Sequence, residues 1–232
     1  MKQIITLGGG GFSMEPENLV LDKYILDQSR KNKPKVCFVP TASGDADGYI
    51  ARFYEAFEKF SCEPSHLSLF KPPTRDLEGY VLDKDIIYVG GGNTRNLLIL
   101  WKEWGLDIIF KKAWEEGVIL SGISAGSICW YEEGVTDSFG TGLEPIKGLG
   151  LLTGSNCPHY DGEADRRPAY QRLVGTRGLQ GGIAADDGVA IHYTGQEIKR
   201  IVSSRPYAKA YRVYLKENVI ETELETEYLD KC

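Results

Sequence analysis

Three histidines and five cysteines are few for a chain of 232 residues, and each scarcity excludes something. His66, His159 and His192 stand far apart, without an H-x-x-x-H or H-x-H pair, so no histidine metal site has a local frame. The cysteines, Cys37, Cys62, Cys129, Cys157 and Cys232, are scattered, odd in number and without C-x-x-C spacing. They exclude a disulfide scaffold and read as reduced thiols of a cytoplasmic protein. Basic residues are outnumbered, leaving a net charge of −6, and no long basic run occurs. Nucleic acid and anionic membranes are therefore not expected as partners. No apolar stretch reaches the roughly 20 residues of a membrane span. Met1–Gly8 reads as a strand and a glycine turn rather than a signal peptide. Repeats, low-complexity tracts and Pro/Ser-rich linkers are also lacking, which leaves one domain over 1–232, as a monomer or homodimer.

What is present is an alternation. Apolar runs at Gln3–Leu7, Lys35–Val39, His66–Phe70, Asp85–Val89 and Val118–Gly122 read as strands. Helical stripes at Asn18–Arg30, Gly48–Phe60, Thr94–Trp101 and Leu106–Glu116 separate most of them. Strands spaced by helices of this length imply βαβ units, hence an α/β fold with a mostly parallel sheet and helices on both faces. Gly182–Ala185 and Val189–Tyr193 read as further strands. Ala210–Leu215 and Val219–Leu224 read as a C-terminal antiparallel hairpin.

Gly122-Ile123-Ser124-Ala125-Gly126 lies between a strand and a predicted helix. That placement lifts a serine hydroxyl to the top of a sheet, with the glycines relieving a strained turn. A serine needs a base, and His159, in the loop-like Ser155–Asp161 stretch, is the candidate. His66 and His192 fall in predicted strands and read as structural. Asp137 and Asp187 both sit near glycines and serines in turn-like stretches, and either suits the carboxylate that orients the imidazole. Gly90-Gly91-Gly92-Asn93 follows a strand and opens a helix, so its backbone can approach a substrate oxyanion closely. The N–H of Ala125 supplies a second donor. A G-x-G-x-x-G fingerprint is absent there and at Gly8–Gly11, and no P-loop lysine follows either turn, so nucleotide binding is not expected. Cys129 reads as core.

The runs Ile86–Thr94, Gly122–Ser127 and Pro158-His159-Tyr160, in that order, resemble the peptidase E family of serine peptidases. That family is related to α-aspartyl dipeptidases and, more distantly, to cyanophycinases. The resemblance covers the chain from the first strand to about residue 193. It implies a fold like class I glutamine amidotransferases, with serine in place of the elbow cysteine, and hydrolysis of short peptides without a cofactor or metal. It assigns Ser124 as nucleophile, His159 as base, Gly92 and Ala125 as oxyanion-hole positions, and Asp187 or Asp137 as the third member. Asn93, Arg166, Arg167 and Arg172 are substrate-binding candidates. One departure stands out: aligning Gln171-Arg172 with the family's Gln-Arg puts Ala169 where aspartyl dipeptidases carry a substrate-reading arginine. Side-chain specificity for aspartate is therefore in doubt. An esterase or amidase of small metabolites, and a non-catalytic binding protein on this scaffold, are the alternative readings.

Overall fold

A computed structural model describes residues 1–140 and 142–230. Its first half runs β1 (Gln3–Leu7), α1 (Gly11–Met14), α2 (Val20–Asp27), β2 (Lys35–Val39), α3 (Asp47–Phe57), β3 (Glu63–His66), α4 (Leu77–Leu82), β4 (Ile86–Val89), α5 (Thr94–Glu103), α6 (Leu106–Glu116) and β5 (Ile119–Ile123). The five strands pair in parallel, in spatial order β1-β5-β4-β2-β3. Neighbouring residues on each strand point to opposite faces. Ile5, Phe38 and Tyr88 pack on one face with Leu21 and Ile25 of α2 and Phe53 and Phe57 of α3. Ile4, Val39, Ile87 and Leu120 pack on the other with Trp101 of α5 and Phe110 of α6. Helices thus cover both faces, as the alternation implies.

The second half continues through α7 (Ala125–Ile128), β6 (Tyr131–Thr136), β7 (Glu144–Lys147), β8 (Leu152–Cys157), α8 (Arg166–Gly175), β9 (Gly182–Ala185), β10 (Val189–Thr194), β11 (Glu197–Ser203), β12 (Ala210–Leu215), β13 (Val219–Leu224) and β14 (Glu227–Tyr228). β10 pairs antiparallel with β1, and β11 and β14 extend that edge, making eight strands. The other six form a separate mixed sheet, in order β13-β12-β9-β8-β6-β7, with α8 packed on it through Tyr170 and Val174. The expected C-terminal hairpin is β12–β13, at the edge of this second sheet.

Three expectations need correction. The strand expected at His66–Phe70 lies at Glu63–His66, where a polar edge strand takes its register from β2. Leu67 and Leu69, which suggested the later start, are buried beyond the strand's end. The helix after Ser124 is a single turn, and Cys129 caps it before the chain enters β6. The second sheet as a whole is not anticipated by the apolar runs. Among the described residues no helix is long and apolar enough to cross a membrane.

Candidate active site

Ser124 leaves β5 at φ 56° and ψ −113°, a backbone region that L-residues rarely occupy. The flanking glycines are needed for a different reason than expected, since neither is at positive φ. A Cβ on Gly122 would lie 2.3 Å from the Gly126 carbonyl oxygen, and one on Gly126 would lie 2.3 Å from that of Val89. The strain therefore sits on the serine, and the glycines let strand, turn and helix approach one another. Ala125 opens α7, so its N–H has no intrahelical acceptor.

The exit of β1 supplies three consecutive carbonyls that gather the site. Ser124 N–H donates to Leu7 O (3.2 Å), His159 N–H to Gly8 O (3.0 Å) and Gly188 N–H to Gly9 O (3.1 Å). Through these bonds one strand end holds the serine, the histidine and the segment bearing Asp187. His159, also at positive φ (55°), follows β8 of the second sheet. Its Nδ1 meets Asp187 Oδ1 at 2.6 Å, and both side chains are largely buried. The Asp187 carboxylate lies between two glycines. A Cβ on Gly9 would come 2.0 Å from Oδ1, and one on Gly162 would come 2.0 Å from Oδ2. Asp137 is exposed, and among the described residues its side chain makes no hydrogen bond or ion pair. Of the two candidate carboxylates, only Asp187 reaches His159. Ser124 Oγ makes no side-chain hydrogen bond among the described residues, and such contacts commonly tighten only when substrate is bound.

The glycine turn after β4 closes the other side. A Cβ on Gly91 would lie 3.3 Å from Ser124 Cβ and 3.8 Å from Oγ, so this backbone borders the hydroxyl. Gly91 N–H is held by Tyr49 Oη (3.3 Å), which also bonds Ser13 Oγ (2.7 Å). Gly92, at φ 136°, sits where a Cβ would strike Ala42 O at 2.2 Å. Its own N–H has no acceptor among the described residues. The free Gly92 and Ala125 N–H groups thus lie on the two turns that border Ser124.

Three of the four substrate-binding candidates are otherwise engaged. Asn93 caps α5, its Oδ1 accepting from Asn96 N–H (2.8 Å) and its amide donating to Ser138 O (3.3 Å). Arg166 is buried, with Nε on Glu163 (2.6 Å) and Nη1 on Val135 O (3.1 Å). Arg167 pairs with Glu221 and lies over the Tyr160 and Tyr211 rings. Arg172 is exposed on α8, and its side chain is unpaired among the described residues. Ala169 is buried on the same helix.

The other two histidines, Cys129 and Asp186 are held within the fold. His192 is fully buried between Tyr24 Oη (2.9 Å) and Gln3 Oε1 (3.0 Å), and burial pushes it down to about 4. His66 bonds Tyr54 Oη (2.8 Å). Cys129 is buried, and burial pushes its thiol far up, which suits core rather than nucleophile. Asp186, beside Asp187, is pushed up to about 6 by burial. Among the described residues no three His, Cys, Asp or Glu side chains converge as metal ligands. Sequence reasoning passed over Gly8, Gly9, Gly162, Asp161, Arg205 and Tyr49. Of these only the run Gly8–Gly11 gives a signal in the sequence, as a backbone built for close approach.

Comparison with known proteins identifies the family and the fold. The profile of Peptidase family S51 matches residues 4–201. The Bacillus subtilis (strain 168) protein named "Uncharacterized peptidase YgaJ" is 61% identical over 230 residues, spanning 99% of this chain and 100% of that one. The crystal structure of a peptidase from an acI-B1 Actinobacterium superposes with a TM-score of 0.71 at 17% identity, covering 97% of this chain and 95% of the other. A solved Listeria monocytogenes EGD-e chain that carries the name peptidase E gives 0.61 at 18% identity, covering 97% and 100%. At these identities the two structures show a shared fold.

Proposed function

The chain belongs to peptidase family S51, and from that premise we propose that it hydrolyses dipeptides or other short peptides with a Ser124–His159–Asp187 triad. The observation that carries the reading is the β1 exit, whose consecutive carbonyls hold Ser124, His159 and the neighbour of Asp187. Ser124 Oγ attacks the scissile carbonyl carbon, and its proton passes to His159 Nε2. Asp187 accepts the Nδ1 proton in a hydrogen bond, fixes the tautomer and stabilises the imidazolium. The Gly92 and Ala125 N–H groups bind the oxygen as it becomes negative. Collapse of the tetrahedral species breaks the C–N bond, and His159 returns its proton to the leaving amine. Water, deprotonated by the same imidazole, then frees the acyl group from Ser124.

Selectivity for an N-terminal aspartate lacks a reader in this reading. A carboxylate is best held by an uncommitted arginine fork. Arg166 and Arg167 are already paired, Ala169 offers no charge, and Arg172, exposed on α8, has no partner among the described residues that holds its fork in place. The four described cysteines, buried and free, support a reducing, cytoplasmic setting.

The test is Ser124→Ala assayed on dipeptides varied at the first residue, Asp included, beside short acyl esters. Peptide cleavage should fall by roughly 10⁴-fold or more. Labelling by a fluorophosphonate should vanish with it. Full activity in the variant overturns the mechanism. Ester turnover without peptide turnover favours the esterase reading, and a marked Asp-first preference overturns the selectivity.

A further inference from the structure

We propose that Arg205 and Asp161 form a strut that positions Asp187 against His159, a reading that rests on the triad above. Asp187 lies on the short link between β9 and β10, and a carboxylate on a link needs outside support to hold one geometry. The support is a closed ring of hydrogen bonds. Asp187 N–H donates to Asp161 Oδ1 at 2.8 Å. Arg205 Nη2 donates to Asp161 Oδ2 at 2.9 Å, and Arg205 Nη1 donates to the Asp187 carbonyl at 3.0 Å. Both polar ends of the Asp187 backbone are thus held by one ion pair.

The strut is itself anchored. Ser203 Oγ accepts from Arg205 N–H (3.0 Å) and donates to Arg205 O (2.6 Å). The Arg205 stem lies under the link, where a Cβ on Gly188 would come 2.9 Å from Cδ. Asp161 stands two residues past His159, so the same pair ties the histidine's loop to the carboxylate's loop. Arginine suits the place because two nitrogens of one planar fork reach two acceptors, whereas lysine reaches from a single point. The pair is partly solvated, with side-chain exposures of 44% for Arg205 and 32% for Asp161. Such a pair contributes little to overall stability. What it supplies is alignment, and a displacement of about 1 Å in a catalytic group can cost about 10²-fold in rate.

The experiment uses Arg205→Gln, Arg205→Lys, Asp161→Asn and the double variant Arg205→Gln/Asp161→Asn, all as full chains. Each is assayed for kcat and KM on the best dipeptide, for thermal melting, and by proton NMR of the His159 Nδ1–H resonance. With the melting curve unmoved, Arg205→Gln and Asp161→Asn should each lose roughly 10- to 10²-fold in kcat at constant KM. The double variant should be no slower than the slower single, because both remove one device. Arg205→Lys should recover part of the rate, and the Nδ1–H resonance should shift or broaden in the slow variants. Parental kcat in Arg205→Gln and Asp161→Asn overturns the strut, as does a slower enzyme whose Nδ1–H resonance is unmoved. Ser124→Ala and His159→Ala, run alongside, separate the two levels. If they are inactive while the strut variants are not, only the strut fails; if they remain active, the triad fails first.

Discussion

Two of the three residues of the proposed triad are held at positive φ, Ser124 at 56° and His159 at 55°. Each such conformation costs of order 1–3 kcal/mol and persists only where its surroundings enforce it. Here the enforcement is the pair of bonds to Leu7 O and Gly8 O. The serine and histidine were legible because their types and their neighbours are chemically unusual. The choice between Asp187 and Asp137 was not, since both are turn aspartates and the pairing depends on a chain crossing between sheets. Asp161 and Arg205 were invisible for a plainer reason: in sequence they look like any solvated charges. At this scale the expectation is that Asp187→Asn lowers kcat by on the order of 10⁴-fold. Asp137→Asn, measured in the same assay, should stay within about twofold, as an exposed substitution whose side chain has no partner among the described residues. Equal losses in the two variants would remove Asp187 from the triad.

The elbow shows what an element requires of its glycines. At Gly122 and Gly126 the obstacle to a side chain is a carbonyl oxygen at 2.3 Å, part of a backbone that cannot turn away. Gly126→Ala should therefore cost at least about 1–3 kcal/mol, read from urea denaturation. Gly48, in the first turn of α3 with open space around it, is the counterpart. Gly48→Ala should be neutral or stabilising by up to about 1 kcal/mol in the same titration. Elements that are apolar runs, such as β1, β2, β4 and β5, could be read from the chain. β3, β6, β7 and β8 could not. Their sequences, Glu-Pro-Ser-His, Tyr-Glu-Glu-Gly-Val-Thr, Glu-Pro-Ile-Lys and Leu-Thr-Gly-Ser-Asn-Cys, are polar or irregular, and they are strands because distant partners bond to them.

Across the whole molecule, two buried groups oppose each other in their response to pH. Asp22 is fully buried, and among the described residues neither carboxyl oxygen has a hydrogen-bond partner; burial pushes it up to about 7. The native protein thus keeps a proton that the unfolded chain releases near 3.8. Stability falls as pH rises through that interval, by roughly 4 kcal/mol in full. His192 acts in the opposite sense. Its native value of about 4 lies below the ordinary 6.5, so its contribution is lost as pH falls between them. Asp22→Asn should therefore melt at a higher temperature relative to the parent at pH 8 than at pH 4, measured by calorimetry. A difference between the two proteins that does not change with pH would refute the assignment.

The serine hangs from the eight-stranded sheet and the histidine from the six-stranded one, while the aspartate rides the link that passes between them. On the proposed triad, a chain with only one sheet assembled owns no cutting edge. Hydrolysis should thus be the last property to return when the protein refolds, later than its circular dichroism.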